Sequence, residues 1–245
     1  MQKANLSHIV LFSSIMVCLL SCTITHHAMQ PDEGYSLLKN PDPINQFLIS
    51  RCVDLMHFSN GDVIADIGAG NGYLEGMLSL SFDSLTFYIQ DIDSSICNQS
   101  EVDKVFYFYK NLKGRPFHNK FIAVTGTDST TNLPDNACDK ILMLYTYQYL
   151  KNPKTFIQDV KKKLKDEGLF YVVNPQHDKY DDIDSQRKKY GWNASPLETE
   201  ITDVINCGFE LIELSRHYGI QGNPYLMVFK KKHHSLITSI AGPRK

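Results

Sequence analysis

A short apolar run, Val63 to Ile67, ends in Asp66-Ile67-Gly68-Ala69-Gly70-Asn71-Gly72 and passes directly into a stretch of helical spacing, Tyr73 to Leu80. Three glycines at alternate positions let the backbone reverse sharply and approach a ligand that a Cβ would exclude. The helix that follows offers free N–H groups at its first turn. A strand, a glycine turn and a helix in this order open a βαβ unit. The rest of the chain is therefore expected to build a mostly parallel sheet with helices on its faces.

The pattern beyond the turn keeps this punctuation. Leu85 to Gln90 reads as a second strand ending at Asp91, Ser94 to Asn111 as a helix, Phe121 to Val124 as a third strand and Lys140 to Leu144 as a fourth. Pro153 to Leu164 is an amphipathic helix, Glu167-Gly168 turns the chain, and Leu169 to Val173 is a fifth strand. The end departs from the βα rhythm. Pro196 to Asn206 is helical with Gly208 as its cap, and Phe209 to Leu214 and Tyr225 to Phe229 alternate as the two strands of a hairpin. Upstream, Asn45 to Phe58 has one apolar helical face and ends at Asn60-Gly61. At 245 residues there is room for one such domain with short extensions.

The glycine turn separates two nucleotide-binding classes. A dinucleotide fingerprint needs glycine at the spacing G-x-G-x-x-G, and counting from Gly68 and Gly70 places Tyr73 where the last glycine belongs. D-x-G-x-G-x-G is met in full. It resembles the first motif of class I S-adenosylmethionine-dependent methyltransferases, and the terminal hairpin is similar to theirs, in which a seventh strand inserts antiparallel between strands five and six. The resemblance covers about residues 43–232. It implies an α/β fold, a Rossmann-like three-layer sandwich whose seven-stranded sheet is mostly parallel and closes on a C-terminal antiparallel β-hairpin.

It also implies a cofactor, S-adenosyl-L-methionine, and a set of residues to hold it. Gly68, Ala69, Gly70, Asn71 and Gly72 would lie under its methionine part, with Asp66 helping to hold the amino group. Asp91 would accept both ribose hydroxyls, since two carboxylate oxygens match a vicinal diol, and Ile92 would pack on the adenine. Asp93, before Ser94, is the expected cap of the next helix. Gly126-Thr127-Asp128 and Leu133-Pro134-Asp135 resemble the family's third motif with the register off, so Asp128, Thr127 or Ser129 fills the place beside the adenine amine. Acceptor contacts are expected from Tyr145-Thr146-Tyr147-Gln148-Tyr149 after strand four, where the tyrosines either wall the site or simply pack. Asn174-Pro175-Gln176-His177-Asp178 follows strand five, and His177 is the candidate general base. No Asn-Pro-Pro-Tyr and no Pro-Cys is present at these places, which argues against a nucleobase acceptor and for a small molecule or another acceptor. The reaction itself calls for no metal.

Charge and targeting signals complete the reading. A formal charge of −2 gives no global case for nucleic acid, and Lys161-Lys162-Lys163 with Lys165 fits the solvated face of a helix. Ile9 to Leu20 is an apolar stretch too short to span a bilayer, closing on Ser21-Cys22. It resembles a bacterial lipoprotein signal, with Cys22 lipidated and the mature protein exported and held at a membrane. Residues 1–22 would then be the signal, 23–42 a polar linker, 43–232 the methyltransferase domain and 233–245 a basic tail. The alternatives are an ordinary cleaved signal or a buried N-terminal helix, and a cytoplasmic location is the alternative to export. Cys52, Cys138 and Cys207 lie in apolar or helical patterns and read as core thiols. Two other functional classes compete: a nicotinamide-dependent oxidoreductase on a related fold, and a catalytically silent lipoprotein that uses the fold only to bind.

Overall fold

A computed structural model of the chain describes residues 54–113, 116–175, 195–216 and 224–232, all within the unit Leu48–Lys245. The elements run β1 (Val63–Ile67), α1 (Tyr73–Ser81), β2 (Thr86–Asp91), α2 (Gln99–Lys113), β3 (Lys120–Thr125), β4 (Cys138–Leu144), a 3-10 turn (Tyr147–Tyr149), α3 (Pro153–Lys163), β5 (Leu164–Asn174), α4 (Leu197–Asn206), β6 (Phe209–Arg216) and β7 (Tyr225–Lys231). They form one seven-stranded sheet in the order β3-β2-β1-β4-β5-β7-β6. The first five strands are parallel, and β7 runs antiparallel to both β5 and β6. This is the expected Rossmann-like methyltransferase fold, with the last strand inserted beside β5.

Burial follows position in the sheet, which explains the sequence pattern. Strands covered on both faces carry unbroken apolar runs: Ile141, Leu142 and Met143 in β4, Phe170 to Val173 in β5, and Tyr225 to Phe229 in β7 are all buried. The outer strand β6 has only one residue fully inside, Phe209, and leaves Ile212 and Leu214 exposed. Phe209 packs with Phe170 and Phe229 at ring separations of 5.6 and 6.5 Å, fastening the hairpin to the central strands.

Four details differ from the sequence reading, each for a local reason. Residues 94–98 form turns, and the helix starts at Gln99, because Asn98 caps it with its Oδ1 accepting from Glu101 N at 3.2 Å. Asp93 caps the preceding turn instead, accepting from the backbone N and hydroxyl of Ser95. Glu167-Gly168 lies inside β5: Cys138 pairs with Leu164 and Lys140 with Leu169, so the extra residues are absorbed as a bulge. Lys163 is buried and paired with Asp135 and Asp159, and Lys165 binds Asp139, so two of the four lysines in the run are held in ion pairs. Of the upstream helix only its last residues, 54–55, are described. Cys97, Cys138 and Cys207 are buried free thiols, the latter two as expected; Cys52 lies outside the described residues.

The helices α1 and α2 touch where Gly76 meets Tyr109. A Cβ at Gly76 would stand 2.2 Å from the Tyr109 ring, itself 3% exposed, and 2.9 Å from Val105. In an exposed helix Gly→Ala gains about 1 kcal/mol, but overpacking a core that cannot yield costs about 1–3 kcal/mol. Gly76→Ala is therefore expected to lower stability by about 1–2 kcal/mol in urea unfolding.

Candidate functional site

The strand order reverses between β1 and β4, and the crevice at their carboxyl ends is where an open α/β sheet binds ligands. The glycine turn occupies that crevice. Gly68 and Gly70 have φ of +79° and +60°, which a side chain would strain. Gly68 also cannot carry a Cβ for steric reasons, because Thr146 from the loop after β4 would lie 2.3 Å from it. The turn is pinned to the tip of β2: Gly68 N and Ala69 N donate to Gln90 O at 2.8 and 3.0 Å, and Gly70 N donates to Asp91 Oδ2 at 3.0 Å. These N–H groups are engaged by the protein and not held ready for an anion, which is what a dinucleotide pyrophosphate would require.

A cavity of about 410 Å³ opens beside the turn. One wall is Ile67, Gly68, Gln90, Asp91 and Ile92, from the ends of β1 and β2; Thr127 and Asp128 follow β3; Leu144 to Thr146 and Tyr149 to Lys151 come from the segment after β4, backed by Phe156. Asp91 stands at the tip of β2 with its carboxylate on the rim, its other oxygen accepting from Asp93 N at 3.0 Å. Ile92 is 57% exposed, an apolar side chain offered to the cavity with nothing covering it. Asp128 is exposed and paired with Lys151 across the mouth. Thr127 also lines the cavity, but its hydroxyl accepts from Ser129 N and Thr130 N, and Ser129 is not on the wall.

Of the residues expected to bind the cofactor, Gly68, Asp91, Ile92 and Asp128 line this cavity. Ala69, Gly70, Asn71 and Gly72 complete the turn behind Gly68, and Asp66 lies beneath it, 4% exposed. The tyrosine loop divides: Tyr145 and Tyr149 line the cavity, while Tyr147 is fully buried in the core. Tyr145 has φ of +56°, a strained value for a bulky residue, and its N donates to Val173 O at 2.7 Å. Cys22 and His177 lie outside the described residues.

Three groups escaped the sequence reading. Gln90 is 1% exposed, lines the cavity, and neither of its side-chain atoms has a hydrogen-bond partner. Its signal was an amide inside an apolar strand. Glu75 in α1 is fully buried under the glycine turn next to Asp66, and burial holds both carboxyls above their ordinary range, with each raising or answering the other. Its signal was helical spacing, since Glu75 shares the inward face with Leu78 and Ser79. At the tip of β5, Asn174 Nδ2 donates to Glu200 Oε1 at 3.0 Å, and Tyr225 Oη donates to Glu200 Oε2. Burial pushes the Glu200 carboxyl up to about 8.

The comparisons with known proteins agree with this geometry. Residues 65–172 match the family model described as a methyltransferase domain. No curated protein matches the chain. Among solved structures, the chain is similar to a SAM-dependent methyltransferase from Aquifex aeolicus at 16% identity and a TM-score of 0.55, covering 81% of this chain and 98% of that one. It is similar to phosphoethanolamine N-methyltransferase 2 of Haemonchus contortus, solved with S-adenosyl-L-methionine, at 13% identity and a TM-score of 0.58, covering 77% of this chain and 52% of that one. A geranyl diphosphate C-methyltransferase from Streptomyces coelicolor, solved with Mg2+, geranyl diphosphate and S-adenosyl-L-homocysteine, matches at 9% identity with a TM-score of 0.57, covering 76% and 78%.

S-adenosylmethionine fits the residues of this cavity on their own terms. The volume suits a nucleoside-sized ligand. Gln90 supplies an unpartnered donor and acceptor, Asp91 a diol acceptor and Ile92 an apolar face.

The buried Glu200 sets a pH dependence with a definite sign. Its folded value of about 8 lies above the ordinary 4.5. Between these values the folded state keeps a proton that the unfolded chain releases, so stability is expected to fall as pH rises through this window and to level off above it. Urea midpoints at about pH 6 and about pH 8.5 should show the loss in the parent protein and a smaller one in Glu200→Gln.

Proposed function

We propose that this methyltransferase domain uses S-adenosylmethionine to methylate a small-molecule acceptor, by in-line displacement at the mouth of the cavity beside the β4 loop. The observation that carries the reading is the tip of β2, where Asp91 faces the cavity while the glycine-turn N–H groups are already engaged. That arrangement has an acceptor for a ribose diol and already engages the first three N–H groups of the turn, which favours a sulfonium nucleoside over a nicotinamide dinucleotide.

When bound, S-adenosylmethionine supplies an already activated methyl group, and the protein has to align and exclude. Asp91 would accept the ribose hydroxyls, and Ile92 would pack on the adenine. Asp128, paired with Lys151 on the same wall, would accept from the adenine amine. Tyr145 and Thr146 press the β4 loop against the glycine turn, and Tyr149 with Leu150 gives the acceptor side an apolar wall that keeps water out. An acceptor that carries a proton needs a base, and His177 after β5 is placed in sequence to serve as one.

The N-terminal segment supports a second element of the reading. The apolar stretch ending at Ser21-Cys22 would make the protein lipid-anchored and exported, a setting that favours a silent binding module over an enzyme. The carved cavity with its unpartnered Gln90 favours the enzyme. Cys22→Ala is expected to abolish incorporation of radiolabelled fatty acid; equal labelling of the variant would remove the anchor from the account.

Gly70→Val tests the cofactor site itself. A branched side chain at φ +60° strains the turn and breaks the approach of Gly70 N to Asp91. The variant should keep its far-ultraviolet dichroism and a cooperative melt. It should lose the thermal stabilisation that S-adenosylmethionine gives the parent. Asp91→Ala should weaken binding by about 2–3 kcal/mol in calorimetric titration, the scale of hydrogen bonds to a charged group. Equal stabilisation of parent and Gly70→Val would place the cofactor elsewhere.

A further inference from the structure

The two buried carboxyls beneath the glycine turn have no evident structural task. Asp66 is the penultimate residue of β1, two residues before Gly68, and is 4% exposed; Glu75 sits in the first turn of α1 and is fully buried. Apart from each other, no side chain donates to Asp66 Oδ1 or to either oxygen of Glu75. The other ionisable groups that reach them are Asp91 at the end of β2, which adds negative charge, and the Cys97 thiol behind it. No ion pair to either carboxyl exists among the described residues. Two acids so placed cannot both be charged at low cost, and a buried, uncompensated carboxylate is among the more expensive groups in a fold. Sharing one proton relieves that cost. The unpartnered Gln90 amide on the cavity side shows that the polar deficit around the turn extends to the ligand space.

We propose that Glu75 works with Asp66 as a second carboxyl toward the cofactor, and that the pair holds a shared proton which leaves to solvent when the cofactor's ammonium group arrives. This rests on the cofactor reading above. A cation beside the turn supplies the counter-charge that the proton had supplied. The proton then becomes dispensable, and both carboxyls ionise. Binding and proton release are thereby one event. The cofactor affinity must rise with pH while the free pair is still protonated, by up to tenfold per pH unit, and flatten above that range.

Calorimetric titrations of the full chain in buffers of different ionisation enthalpy read the proton directly. S-adenosylhomocysteine is the probe for the ammonium, and 5′-methylthioadenosine, which keeps the nucleoside and sulfur but lacks the amino acid, is its control. At about pH 6.5 an α-ammonium is already fully protonated, so the ligand contributes no proton of its own. S-adenosylhomocysteine is expected to release between about half a proton and one proton, and methylthioadenosine close to none. Glu75→Gln, which can donate its amide to an ionised Asp66, should bind S-adenosylhomocysteine with little release and a flat pH profile. Binding of S-adenosylhomocysteine without a buffer-dependent enthalpy would overturn the inference while leaving the cofactor site intact. Equal release with methylthioadenosine, or full release in Glu75→Gln, would overturn it as well. Absence of any binding by S-adenosylhomocysteine would overturn both this inference and the function on which it rests. Should Glu75→Gln fail to fold, the two ligands on the parent protein decide the matter.

Discussion

The site depends on one joint, the fastening of the glycine turn to the end of β2. Gln90 contributes its carbonyl to two successive N–H groups and Asp91 its carboxylate to a third. A turn with three left-handed glycines would otherwise be the loosest part of the fold, since glycine loses the most conformational freedom on ordering. A hydrogen bond to a charged acceptor is worth about 1.5–3 kcal/mol, enough to offset much of that loss locally. The same joint shapes the chemistry: it takes three N–H groups of the turn away from any anion, and by placing Asp91 on the rim it leaves a diol acceptor.

Two further contacts turn this joint into a cavity. Thr146 lies so close to Gly68 that no other residue fits there, which brings the β4 loop over the turn. Tyr145 accepts a left-handed backbone, its N–H held by Val173 O, so that the chain can leave β4 and still return to the core with Tyr147. At Tyr145 strain of this kind, held by the surrounding structure, falls on the wall of the ligand space.

What was legible in the sequence was whatever depends on period and punctuation. Val63 to Ile67 and the glycines mark the first βα unit, and the apolar run Tyr225 to Phe229 with turn residues before it marks the closing strand, although its unbroken burial departs from the alternation expected of it. Asp91 was found by its distance from Gly72, which is the length of one helix and one strand. What was not legible depends on which faces meet. Glu75 is an ordinary acidic residue near a helix start until α1 is laid on the sheet. Glu200 is likewise hidden until Asn174 and Tyr225, far from it in the chain, close over it. Lys163 looks solvated by its neighbours in sequence and is paired by neighbours in space, Asp135 and Asp159. Asn98 rather than Asp93 caps α2 because the chain spends one more turn leaving the rim at Ile92, a detour that no residue period announces.

The central claim is that the cavity at the carboxyl ends of β1, β2 and β4 holds S-adenosylmethionine with its ribose on Asp91. A crystal structure of the protein grown with saturating S-adenosylhomocysteine tests it most directly. The account predicts the ribose hydroxyls within hydrogen-bond distance of the Asp91 carboxylate, the adenine against Ile92 and the amino-acid end over Gly68. A nucleoside bound elsewhere, or the ribose turned away from Asp91, would contradict it.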